Sequence, residues 1–123
     1  MTTTQPTLPT KEHYIEILEQ VTLDDNEKLM LRALYHAKGH WLTGTELSQA
    51  AGYKIASTSA NRAFGRLGRK ICEKLGYTEK QTTAVKGKII ADYPTRKIDG
   101  KDRRVYAMHP VVVEALRELR WFE

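Results

Sequence analysis

Arg62, Arg66 and Arg69 stand at i, i+4 and i+7, a spacing that lines three side chains along one strip of an α-helix. Ser59, Asn61, Gly65 and Lys70 fall on the same side, and Lys54 lies just upstream. A guanidinium can grip guanine through two hydrogen bonds and an Asn side chain can do the same for adenine, so Asn61 and Arg62 have the types that read base edges. Arg66, Arg69 and Lys70 suit phosphate oxygens. Like charges at this spacing weaken an isolated helix by roughly a few tenths of a kcal/mol per pair, yet no carboxylate interrupts the run before Glu73. A second cluster, Arg96, Lys97, Lys101, Arg103 and Arg104, surrounds Asp99-Gly100 with five bases against Asp99 and Asp102. Both clusters carry the chemistry of a surface that meets a polyanion.

Catalytic chemistry finds fewer footholds. His36 and His40 are four apart, as zinc-binding pairs often are, but Gly39 ends the helix between them and no nearby carboxylate completes a site. Gly100-Lys101 lacks the rest of a phosphate-binding loop, and Asp24-Asp25 is explained by helix capping. Cys72 is the single cysteine, so neither an internal disulfide nor a multi-cysteine zinc site can form, and its place beside an apolar stripe makes it a small buried hydrophobe. The expectation is a protein that is not an enzyme and uses no metal or cofactor.

The chain's 123 residues, 41% hydrophobic and 28% charged, suit one compact domain and are too apolar for a disordered chain. Its longest apolar runs are three or four residues, far below the ~20 a bilayer crossing needs, so no membrane partner is expected. The first residues have neither a basic start nor an apolar stretch, which predicts a cytoplasmic, nucleoid-associated protein with no secretory signal. The net charge of +5 is unevenly placed. Residues 1–52 carry four Lys/Arg against seven Asp/Glu, residues 53–75 six against one, residues 76–105 eight against four, and the remainder two against three. Two adjacent segments in the middle therefore hold the positive charge.

These residues need elements to position them. Residues 1–9 read as a flexible arm. Thr10 then caps a helix with Tyr14, Ile17, Leu18 and Val21 on one face. Asp24 and Glu27 make a capping-box start for a second helix, with Met30, Ala33, Leu34 and Ala37 as its buried stripe and Gly39 as its stop. Trp41-Leu42 is a short extended link. Thr43 and Glu46 form another capping box, and Gly52 closes a helix of barely two turns. A long helix over about 57–75 follows, with Ala60, Ala63, Phe64, Leu67, Ile71 and Leu75 at helical spacing. Gly65 and Gly68 interrupt it, each costing about 1 kcal/mol relative to alanine. Close approach is expected there, by a neighbouring element or by a nucleic-acid backbone. Beyond Gly76 the pattern predicts strands at Lys86–Tyr93 and Arg103–Met108, joined through Pro94–Asp102 with Asp99-Gly100 as a tight turn. His109-Pro110 opens a last helix running to Trp121, with Val112, Ala115, Leu116 and Leu119 buried.

The order helix, short strand, short helix, turn, long helix, basic hairpin resembles the winged helix-turn-helix family over roughly residues 23–108. The resemblance implies a single α+β domain over residues 10–123, mainly α with a small β-hairpin and with extra N- and C-terminal helices. It implies that the helix at about 57–75 enters the major groove of double-stranded DNA while a wing at about 86–108 touches backbone or minor groove. Lys54, Ser59, Asn61, Arg62, Arg66, Arg69, Lys70, Arg96, Lys97, Lys101, Arg103 and Arg104 would form the interface of a small bacterial or phage transcriptional regulator. The two outer helices bury one another within a chain or across the two-fold axis of a homodimer, with Trp121 and Phe122 at the seam. The scaffold also looks like small winged-helix modules attached to bacterial restriction nucleases. The alternative is accordingly a phage-encoded inhibitor of a host defence complex, of anti-CRISPR or anti-restriction type, acting through protein interaction.

Overall fold

The computed structural model describes residues 9–52 and 58–122, with the side chains at 58–61 excepted. Of the arm at 1–9, only Pro9 falls among the described residues, and it is buried. Lys54 lies outside them; Ser59 and Asn61 are placed by their backbone alone.

Six helices and a small antiparallel sheet make up the described residues: α1 (Lys11–Gln20), α2 (Asp25–His36), β1 (Trp41–Thr43), α3 (Gly44–Ala50), α4 (Thr58–Leu75), α5 (Glu79–Val85), β2 (Ala91–Asp92), β3 (Thr95–Ile98), β4 (Lys101–Met108) and α6 (Pro110–Leu119). No described helix is long and apolar enough to cross a membrane. Local capping chemistry sets most of the starts. Thr10 accepts from the His13 amide at 3.2 Å, reciprocal capping boxes join Asp24 to Glu27 and Thr43 to Glu46, and Pro110 occupies the first position of α6. α2 stops at His36, ahead of Gly39, which sits at φ +71° in a 3-10 turn over Lys38–His40. α6 likewise stops at Leu119, because Arg120 turns left-handed at φ +59°.

Between Gly76 and the hairpin, the expectation of a strand over Lys86–Tyr93 is corrected. Thr78 and Gln81 form a third reciprocal capping box, at 3.1 and 2.9 Å, which launches α5; a 3-10 turn at Lys86–Lys88 follows, and only Ala91–Asp92 is strand. Val85 and Ile89, four apart, share a face in a helix and in a strand alike, so their spacing does not separate the two. The hairpin is instead β3–β4, closed by the two residues Asp99 (φ +52°) and Gly100 (φ +79°) in the doubly left-handed conformation that matches strand twist. The base of β4 lies between two neighbours, with Trp41–Thr43 paired to Ala107–Val105 on one edge and Ala91–Asp92 paired to Met108–Ala107 on the other.

One core joins all of this. Tyr14, Ile17 and Leu18 of α1, Met30, Leu31 and Leu34 of α2, Leu47 of α3, Phe64, Leu67 and Ile71 of α4, and Val112, Val113 and Leu116 of α6 are buried with Ile89 and Ile90. α1 runs antiparallel to α6 within the chain, and Lys11 reaches Glu118 at 3.1 Å across their ends. Their apolar stripes thus find partners in one copy. Phe122 packs on Tyr35 with ring centroids 5.9 Å apart, whereas Trp121 remains partly exposed.

Candidate nucleic-acid interface

The β3–β4 hairpin projects from the sheet with Thr95, Arg96 and Lys97 and all of Lys101–Arg104 exposed. Its register places Arg96 directly opposite Arg103 and Ile98 opposite Lys101. Side chains alternate across a strand, so Arg96, Lys101 and Arg103 share one face. Like charges directly opposite one another destabilise a sheet, and no carboxylate among the described residues lies within ion-pair distance of Arg96, Lys101, Arg103 or Arg104. The Arg96 guanidinium sits 5.4 Å from the centre of the Trp41 ring, and Lys97 is loosely paired with Asp102 at 3.9 Å.

On α4 the arginine strip faces outward, but its members differ. Arg62 is exposed and makes no ion pair among the described residues. Arg66 lies 3.8 Å from Asp24 at the start of α2. Arg69 clasps Glu79 of α5 through two hydrogen bonds, 2.9 and 3.1 Å, which hold the Glu79 carboxyl below the usual carboxylate range. This tie helps dock α5 on α4 above the ordinary carboxylate range and is lost as pH falls through the lowered value; being exposed, it is also weakened by salt. Lys70 turns the other way, to Glu27 Oε1 at 2.7 Å and the Thr22 carbonyl at 2.9 Å.

Arg69 and Lys70, read from the sequence as phosphate contacts, are therefore braces between helices. The carboxylates that neutralise them come from α2 and α5, and nothing along α4 itself announces them. Glu27 is fully buried, and its Oε2 has no hydrogen-bond partner among the described residues. Removing Lys70 strands that charge. Lys70→Ala is expected to lower unfolding stability by about 2–3 kcal/mol, read by urea denaturation. An unchanged denaturation midpoint would show that the Lys70–Glu27 pair does not brace the fold.

Two clefts connect the strip to the hairpin. One, of about 570 Å³, opens between the start of α3 and β4 and is lined by Arg103, Arg104 and Tyr106. The other, of about 700 Å³, runs between α4 and the Lys86–Lys88 turn, with Arg62, Gly65 and Arg66 on one side and Lys86 and Lys88 on the other. Tyr93 lines both. Its ring stands edge-on to Tyr106 at 5.0 Å, and Tyr106 stacks on Phe64 of α4 at 5.3 Å, so an aromatic ridge ties hairpin to helix. Burial pushes the Tyr93 hydroxyl up to about 12, keeping it protonated to donate to the Gly87 carbonyl. Lys86 and Lys88 were not picked out from the sequence. Their signal was the Lys-Gly-Lys run behind the Thr78/Gln81 capping box.

His36 and His40 flank Tyr35: the His36 ring is edge-on to it, and His40 Nδ1 lies 2.9 Å from the Tyr35 carbonyl. No group of three or more His, Cys, Asp or Glu among the described residues is arranged to hold a metal ion. Compared with protein-family models, curated proteins and solved structures, the chain matches none of them.

Proposed function

We propose that this protein binds duplex DNA, with the first turns of α4 in the major groove and the β3–β4 hairpin acting as a wing against the phosphate backbone. The observation that carries this reading is the opposition of Arg96 and Arg103 on a projecting hairpin, with no carboxylate within ion-pair distance of either among the described residues. A solvated hairpin is better served by alternating charge, whereas a polyanion relieves the repulsion and releases its own counterions in doing so. The order α2, β1, α3, α4, β3–β4, with β1 added to the edge of β4, supports a winged helix-turn-helix arrangement. In that arrangement the N-terminal half of the recognition helix meets the bases, and Asn61 and Arg62 occupy that half of α4.

Reading and gripping separate by mutation. On a site selected from random duplex, Arg62→Ala or Asn61→Ala is expected to cost about 1–3 kcal/mol of binding and to change little on unrelated sequence. Lys101→Ala should weaken both equally. Equal losses on both duplexes for all three variants would show that no base is read and that the protein binds backbone alone. Failure of the wild type to bind any duplex would remove the reading altogether and leave protein interaction in its place.

A further inference from the structure

We propose that the cleft between α4 and the Lys86–Lys88 turn holds the sugar–phosphate backbone of one DNA strand, with Lys86 and Lys88 facing Arg66 across it and Gly65 keeping its floor open. This rests on the duplex-binding reading and adds to it a phosphate track away from the hairpin tip.

Gly65 and Gly68 give the first observation. One turn apart on α4, they have opposite surroundings. At Gly68 the helix meets the backbone of Lys86, and a Cβ there would stand 2.5 Å from the Lys86 carbonyl carbon and 2.9 Å from its Cα. Packing explains that glycine. At Gly65 a Cβ would meet nothing within 4 Å. The helix touches the turn at Gly68, whereas Gly65 lines the cleft beside it. Glycine is poorly suited to a helix interior, and among the described residues no neighbour requires one here. Close approach by a ligand to the helix backbone does.

The second observation is how firmly the opposite wall is held. Three successive carbonyls, of Gly87, Lys88 and Ile89, accept side-chain hydrogen bonds from three separate parts of the chain. Tyr93 donates to Gly87, His109 Nε2 to Lys88 at 2.7 Å, and Tyr14 of α1 to Ile89 at 2.5 Å. A carbonyl can only accept, so His109 carries its proton on Nε2. With their carbonyls anchored, these residues form a preorganised turn beneath the ammonium groups of Lys86 and Lys88. This also gives α1 and the residue that precedes α6 a role in holding the turn, since Tyr14 and His109 are two of the three donors.

Charge identifies the occupant. Arg62, Arg66, Lys86 and Lys88 line the cleft with no carboxylate among its lining residues. Two acids stand beside it: Glu79, clasped by Arg69, and Asp24, 3.8 Å from Arg66. An open cleft with cations on both walls fits a phosphodiester chain passing through. Tyr93, shared with the cleft beside Arg103 and Arg104, makes the track continuous with the base of the hairpin.

Duplex titrations at several salt concentrations, with thermal melts of each variant, test this. Lys86→Gln/Lys88→Gln is expected to bind about 20–30-fold more weakly near physiological salt and to flatten the slope of log K against log salt by about 2, with an unchanged melting temperature. Gly65→Leu is expected to fold and to lose at least as much affinity as one lysine contact, about fivefold, while Gly65→Ala melts higher than wild type. Wild-type affinity in both the lysine pair and Gly65→Leu would overturn the cleft while leaving α4 and the hairpin as the interface. Absence of duplex binding by the wild type would overturn both. Should Gly65→Leu not fold, the lysine pair alone decides: retained affinity and slope refute the track, and a lowered slope supports it.

Discussion

Gly68→Ala is expected to destabilise the protein by about 3 kcal/mol or more, at the upper end of what overpacking a core costs. The added methyl would enter the backbone of Lys86, and that backbone cannot retreat easily because Tyr93, His109 and Tyr14 pin the next three carbonyls. The same substitution three residues earlier has the opposite sign. At Gly65 the methyl meets open space, and alanine's helix preference should add up to about 1 kcal/mol. Urea denaturation of the two variants side by side checks both. Equal shifts would show that the contact between α4 and the Lys86–Lys88 turn is not as close as described.

The second large effect falls on binding. Each phosphate contact is worth roughly fivefold in affinity near 0.15 M salt, so Arg96→Ala/Lys101→Ala/Arg103→Ala/Arg104→Ala together should lower duplex affinity about 600-fold. All four side chains are exposed. Relief of the Arg96–Arg103 repulsion roughly offsets loss of the Arg96 contact with Trp41, so the melting temperature should barely move. A folded variant that binds as wild type does would place the interface away from the hairpin.

Much of this architecture was legible because its signals are local. The Thr10, Asp24 and Thr43 caps, Pro110 at the start of α6 and the Asp99-Gly100 turn each rest on residues within about one turn of one another, and the structure has them where the sequence places them. α5 was equally local, since Thr78 and Gln81 cap it as Thr43 and Glu46 cap α3. It went unread because the apolar residues Val85, Ile89 and Ile90 suggested a strand. What periodicity could not supply was the pairing of charges between elements. Lys70 and Glu27 are 43 positions apart and Arg69 meets Glu79 across the Gly76 turn. A helical strip that looks uncompensated along its own sequence is partly neutralised by its neighbours. The same blindness hid Lys86 and Lys88, whose significance depends on facing α4 across a cleft.

The salt dependence of duplex binding tests most directly whether cations of α4 and the hairpin meet DNA phosphates. With about five contacts from Arg66, Arg96, Lys101, Arg103 and Arg104, log K against log salt should fall with a slope of about −4 to −5, steeper still if the Lys86 and Lys88 track is occupied. A slope near zero, or no binding to duplex at low salt, would contradict the account.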